Sequence, residues 1–168
     1  NLKSFIKHRT EELNLSGDWI YYSWNNTLLH TLSERENDLL RTNRNKDLIT
    51  AEEQKKLSNF TISIAGLSVG GNIATTLAYG GFPKRIKLAD FDTLETTNLN
   101  RIRGKLSDIG TSKIYIIKKQ LFEIDPHIRI KSFSSGLSRK NLKDFVGGNS
   151  KSKLIFEIID DFEMKILI

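Results

Sequence analysis

No cysteine occurs in the 168 residues. Disulfides, thiolate zinc sites and thioester chemistry are therefore excluded within them. No apolar run approaches the roughly 18 residues of a membrane-spanning helix. No signal peptide is visible, so the cytoplasm is the expected location, although the chain starts at Asn1 rather than Met. Histidines are few: His8, His30 and His127 are scattered, with no acidic or cysteine partner at ligand spacing, and read as structural. Repeats and low-complexity segments are missing too. Charge of one sign is not in large surplus, because 26 basic and 20 acidic residues leave +6. That excess is spread along the chain and favours small anionic ligands such as phosphates. Nucleic acid and membrane surfaces are not expected partners.

What is present divides into two parts. The length and the 38% hydrophobic content suit one core. Residues 1–58 lack strand alternation and read as an arm of helices and loops. Ser33-Glu34-Arg35-Glu36 and Thr50-Ala51-Glu52-Glu53 are capping-box patterns that open short helices at 34–42 and 51–58. Polar Arg41–Lys46 lies between them as a loop. Trp19, Tyr21, Tyr22 and Trp24 form an aromatic cluster expected to pin the arm onto the domain.

Residues 59–168 alternate strand and helix. Strands are expected at 60–65, 85–89, 128–133 and 154–159, and helices at 70–81, 112–124 and 139–146. This order predicts an α/β, Rossmann-like, doubly wound and mostly parallel sheet, with helices on both faces. The chain ends EMKILI inside an apolar, helix-like segment without a cap, so it reads as truncated, the front part of something longer.

Three groups of residues in this part carry chemistry. Gly66-Leu67-Ser68-Val69-Gly70-Gly71 follows the first strand of the sheet. Glycine lets phosphate oxygens approach the backbone, and the next helix offers free N–H groups to an anion. Alone, this near-match to the dinucleotide fingerprint is also compatible with a plain turn. Asp90 follows the second strand at about the spacing of an acid that accepts hydrogen bonds from ribose hydroxyls. It fits ATP and NAD equally well, and a solvated strand-end carboxylate is the simpler alternative. Asp92 reads as a turn residue close behind it. Asn98, Arg101 and Lys113 form the third group. Attack at an α-phosphate develops charge on equatorial oxygens and on departing pyrophosphate, and preorganised cations stabilise that charge best. Arg103 and Lys105 crowd the same loop, so ordinary surface charge is the competing reading. Asp160 ends the last strand beside Asp161, either as a Mg²⁺ ligand or as a helix N-cap.

Taken together, these blocks resemble the ThiF/MoeB/HesA adenylyltransferases, bacterial relatives of ubiquitin-activating enzymes. The resemblance covers Arg41 to Ile168 and rests on Arg41-x-x-Arg44, Glu53-Gln54, Ala65-Gly66-x-x-x-x-Gly71, Asp90-Phe91-Asp92, Asn98-Leu99-Asn100-Arg101, Ile109-Gly110-x-x-Lys113, Asp125-Pro126 and Asp160-Asp161-Phe162. The arm is similar to that of longer ThiF-type proteins, some of which resemble fusions to a nitroreductase-like domain. The resemblance implies ATP and Mg²⁺ as cofactors. Gly66, Ser68, Val69 and Gly71 would surround the phosphates and Asp90, with Asp92 behind it, the ribose. Asn98, Arg101 and Lys113 would hold the triphosphate and its transition state, and Asp160 the metal. Arg44 would reach into a neighbouring subunit's site, which implies a homodimer. The implied reaction joins a carboxylate to AMP as an acyl-adenylate and releases pyrophosphate. The implied substrate is the C-terminus of a ubiquitin-like carrier, a peptide or a small acid. Two departures stand out: Ser68 and Val69 replace a usual Gly-Gly, and Asp161 replaces a frequent Asn. A non-catalytic, adenylation-like partner and an NAD(P)-binding reductase are the alternative readings.

Overall fold

The computed structural model describes residues 1–168. They form two compact units, Asn1–Leu48 and Ile49–Ile168.

The first unit holds helix α1 (Leu2–Leu13), strands β1 (Asp18–Tyr22) and β2 (Thr27–Thr31), helix α2 (Glu34–Arg41) and a 3-10 turn at Asn43–Asp47. The hairpin corrects the expectation of an arm without strands. β1 and β2 pair antiparallel, with Trp19 opposite His30 and Tyr22 opposite Thr27. Asn26 turns the chain at φ 53°, a conformation that Asn tolerates well. Alternation failed as a signal because neither face of this two-stranded ribbon is fully buried. Within this unit Trp19 donates its indole N–H to Thr10 at 2.9 Å and its ring lies 4.9 Å from that of His30. The Tyr22 and Trp24 rings stack at 4.8 Å. Both expected capping boxes are present: Glu36 accepts from the Ser33 N–H and hydroxyl, and Glu53 accepts from the Thr50 N–H at 2.8 Å. These bonds hold both glutamates below the usual carboxylate range, the Ser33 hydroxyl leading at Glu36 and the Thr50 N–H at Glu53.

The second unit begins earlier than the expected boundary at residue 59. Helix α3 (Ala51–Ser58) belongs to it. Gln54 donates to the Gly81 carbonyl at 3.4 Å, and the Ser58 and Asn59 carbonyls accept from Lys84 N–H and the Arg85 guanidinium. Then follow β3 (Thr61–Ala65), α4 (Leu67–Tyr79), β4 (Arg85–Ala89), α5 (Lys113–Ile124), β5 (Arg129–Phe133), α6 (Arg139–Val146), β6 (Leu154–Glu157) and α7 (Phe162–Leu167).

The four strands of this unit run parallel in the order β5-β4-β3-β6. Ile62, Ile64, Ile86 and Leu88 project from one face and pack with Ala74 and Ala78 of α4 and Ile114, Ile117 and Leu121 of α5. Ala65, Ala89 and Phe133 project from the other face and pack with Phe145 of α6. Helices on both faces of a parallel sheet confirm the doubly wound α/β architecture. No helix is long and apolar enough to cross a membrane.

Two buried lysines fasten this unit. Lys84 donates to Asp125 at 2.8 Å, both side chains being under a tenth exposed. Lys87 donates to the carbonyls of Asp144, Phe145 and Gly147 at 2.9, 3.0 and 2.8 Å. It thereby supplies donors to the last turn of α6, whose carbonyls lack helical partners. Burial pushes the Lys87 ammonium below its usual value, against the pull of nearby Asp144.

Candidate nucleotide site at the carboxyl edge

The strand order places β3 centrally, and successive connections leave it in opposite directions, first to β4 and finally from α6 back to β6. Ligands of such sheets bind outside the carboxyl ends of the strands at this switch point. Gly66 sits there at φ +85°. A Cβ at Gly66 would collide with the Ile158 carbonyl, so only glycine lets β6 exit alongside the turn. The Gly66 N–H donates to the Ala89 carbonyl at 2.9 Å, tying the turn to β4.

Helix α4 starts at Leu67 rather than at residue 70, which corrects the expected boundary. The cause is Asp90. Its Oδ2 accepts the Leu67 N–H at 2.6 Å and its Oδ1 accepts the Asp92 N–H at 2.7 Å. Ser68 and Val69 thus occupy the first helical turn, where backbone N–H groups have no helical partner. Gly71 lies a turn further on and is buried against α5, where a Cβ would come within 2.6 Å of Ile117 Cδ1. Its visible role is close helix packing.

Asp90 is only 9% exposed. A carboxylate offers about four acceptor positions, so its two backbone bonds leave room for two ribose hydroxyls. Asp92 is tied to α5 twice. Its carbonyl accepts the Lys113 N–H at 3.0 Å, and its Oδ2 accepts from Lys113 Nζ at 2.7 Å. The Lys113 side chain is 6% exposed and that of Asp92 is 50% exposed. The structure therefore joins Leu67, Asp90, Asp92 and Lys113 in one hydrogen-bonded chain.

The connection from residue 93 to 109 is anchored by Leu94 and Ile102, which pack on Ile116 of α5. Asn98 is buried, and its Oδ1 accepts the Glu95 N–H at 3.1 Å, leaving the amide nitrogen as its available donor. Arg101 folds over its own loop, donating to the Thr97 carbonyl at 3.1 Å and to Asn100 Oδ1 at 2.9 Å. Its backbone carbonyl accepts from Asn72 Nδ2 of α4 at 2.9 Å. Asn72 was missed by sequence reasoning. Its signal was an amide side chain directly after Gly70-Gly71, in a helix that carries no charge.

Asp160 is exposed just beyond β6, near the Ile158 carbonyl that Gly66 accommodates. The helix N-cap is its neighbour Asp161, which accepts the Met164 N–H at 3.1 Å. Capping therefore does not occupy Asp160. No group of three or more His, Asp or Glu residues gathers for a metal. A cation here would rest on Asp160, water and phosphate oxygens, which suits Mg²⁺. Arg44 lies in the other unit, exposed on its 3-10 turn.

A parallel, doubly wound sheet with an acid-braced glycine turn at its switch point defines a nucleotide-binding class of α/β domain. Residues 40–168 match the ThiF family, and the chain belongs to that family. It is 36% identical over 150 residues to the Mycobacterium tuberculosis "Uncharacterized protein MT1398", covering 89% of this chain and 21% of that protein. It is 30% identical over 122 residues to the "Probable molybdopterin-synthase adenylyltransferase" of Porphyra purpurea, covering 71% of this chain and 31% of that one. Among solved structures it resembles the E. coli tRNA N6-threonylcarbamoyladenosine dehydratase TcdA in complex with ATP. That match has a TM-score of 0.67 at 21% identity and covers 73% of this chain and 50% of the other. The chain thus spans a fifth to a half of the length of these relatives.

Proposed function

We propose that this chain is the ATP-binding front of an adenylyltransferase that activates a substrate carboxylate. The observation that carries this reading is the Asp90–Asp92–Lys113 chain beneath the α4 N-terminus. A buried carboxylate, helix N–H donors and a buried ammonium along one edge are the groups that a ribose and its phosphates would call for. The name of the Porphyra relative supports the same chemistry.

ATP supplies an α-phosphorus that a carboxylate oxygen attacks, while the bond to the departing pyrophosphate breaks. The N–H groups of Ser68 and Val69 face phosphate oxygens. Asp90 accepts from the ribose. Lys113 is held by Asp92 until phosphate competes for its ammonium, and the Asn98 amide donates beside it. Arg101 swings from its neutral partners, Thr97 and Asn100, to the charge that develops in the transition state. Asp160 would hold Mg²⁺, which would supply neutralisation of phosphate charge. Arg44 completes the site of a second subunit in a homodimer. The substrate is a ubiquitin-like carrier C-terminus, a peptide or a small acid, and the setting is cytoplasmic.

Mg²⁺-dependent ATP–pyrophosphate exchange tests this reading across candidate carboxylates, using the longest form of the protein. Arg101→Ala is expected to lower exchange by about a hundredfold, the loss typical of one transition-state donor. An unchanged rate in that variant would remove Arg101 from the mechanism. ATP binding without any exchange would favour the non-catalytic partner.

A further inference from the structure

The loop that carries Arg101 is fixed to its unit in two separate ways. Its apolar anchors, Leu94 and Ile102, pack on Ile116 of α5. Backbone bonds close its ends: the Leu94 N–H donates to the Thr111 carbonyl and the Gly110 N–H to the Leu94 carbonyl, both at 2.8 Å. Two side-chain amides then add donors from α4 and α5. Asn72 gives Nδ2 to the Arg101 carbonyl at 2.9 Å. Gln120 gives Nε2 to the Arg103 carbonyl. A carbonyl only accepts, so in each case the amide nitrogen faces it. The two bonds flank buried Ile102.

Asn72 is not explained by its own helix. Asparagine is a poor residue for a helix interior, because its side chain competes for nearby backbone groups. Here it stands within α4, half-buried, and reaches out to the loop. Nor does the loop need it to hold its course, since Leu94, Ile102 and the closing backbone bonds already do so. What the bond fixes is the backbone of one residue. The Arg101 N–H donates to the Asn98 carbonyl at 3.1 Å, and the Arg101 carbonyl accepts from Asn72. Both backbone groups of Arg101 are thus held. Its exposed guanidinium rests only on neutral acceptors, the Thr97 carbonyl and Asn100 Oδ1. A fixed backbone under a loosely held head suits a side chain that swings to one defined place. The fixed point is also measured from the right element. Asn72 is three residues, about 4.5 Å of helix rise, beyond Val69 in the turn whose N–H groups lack helical partners.

We propose that Asn72 is a positioning residue for Arg101, setting where the guanidinium starts relative to the first turn of α4. The inference rests on the transition-state role proposed above for Arg101. A misplacement of about 1 Å can cost on the order of a hundredfold in rate. Ground-state ATP, held by Asp90 and the α4 N–H groups, would bind as before.

Asn72→Leu tests this, because it keeps the shape of the side chain, removes the donor and is the better helix former. Mg²⁺-dependent ATP–pyrophosphate exchange by the longest form of the protein is the first readout. The variant should lower kcat by about tenfold or more and change the KM for ATP by less than about twofold. Asn72→Gln, which keeps the amide, should recover part of the loss. Added to Arg101→Ala, Asn72→Leu should lower the rate no further, because it acts through Arg101. The second readout needs no turnover: the Arg101 Nε–H resonance, followed by NMR as ATP and Mg²⁺ are added. It should shift in the wild type and clearly less in Asn72→Leu. That difference, seen in a wild type that performs no exchange, would count against adenylation and leave the positioning role standing. An unchanged kcat in Asn72→Leu, losses that multiply with those of Arg101→Ala, or a KM that rises as much as kcat falls would each overturn the proposal. So would an Arg101 resonance that responds equally in both proteins or in neither.

Discussion

Gly66 and Gly71 look equivalent in the motif but differ in what surrounds them. Gly66 combines φ +85° with a backbone carbonyl in the space of a Cβ. Neither can relax, so Gly66→Ala should cost at least about 1–3 kcal/mol from strain alone. Gly71 faces the end of a flexible Ile117 side chain from within a helix. Alanine there gains about 1 kcal/mol of helix propensity against about 1–3 kcal/mol of overpacking. Urea unfolding should show a clearly lower midpoint for Gly66→Ala and a small change for Gly71→Ala. Equal losses would mean that Gly66 is not strained. Much at this scale was legible in the sequence. The first glycine and Asp90 follow from spacing after a strand. That Asp90 grips the Leu67 N–H was not legible, because a carboxylate capping across the sheet leaves no local pattern. The Asp92–Lys113 pair was hidden for the same reason, since its members are close only after α5 folds back.

At the scale of elements, periodicity found every strand of the parallel sheet and every helix that covers it with an apolar stripe. It missed the hairpin, whose aromatic strands bury neither face completely. It also could not reveal that α6 depends on Lys87, a cation between the apolar Ile86 and Leu88 of β4. Lys87→Met should leave the carbonyls of Asp144 and Gly147 without the Lys87 donor, while that of Phe145 keeps the Ser63 and Ser152 hydroxyls. One such acceptor costs about 1–3 kcal/mol when buried, so the loss should be at least that large. The alkaline limb gives a further check. Burial lowers the folded-state value of Lys87 below the 10.5 of the free side chain. The folded state therefore releases its proton first, and the full desolvation cost applies at neutral pH. Stability attributable to Lys87 should rise as pH climbs from the lowered value toward 10.5. Wild type should gain on Lys87→Met in that window. A parallel pH dependence in the two proteins would show that the ammonium is not desolvated.

Over the whole molecule, the two units divide the proposed chemistry unequally. The second unit holds the glycine turn, the ribose acid, the Asn98–Arg101 loop and Lys113, all on elements of one sheet. The first holds Arg44 on an exposed turn. A residue so placed contributes to catalysis only by reaching a site, and the proposed dimer assigns it the neighbour's. This makes a stoichiometric prediction. Arg44→Ala and Lys113→Ala homodimers should each lose most ATP–pyrophosphate exchange, because every site lacks one group. In a mixed dimer one site lacks both groups and the other lacks neither. Mixing the two inactive variants should therefore restore up to about half the wild-type rate per mixed dimer. If Arg44 instead served its own subunit, each site of the mixed dimer would still lack one group, and mixing would restore nothing. Separating mixed dimers by distinct affinity tags before the assay distinguishes these outcomes. Recovery without subunit exchange would count against both. The same measurement tests Lys113 independently of its fold, because a variant that rescues its partner must itself be folded and dimeric.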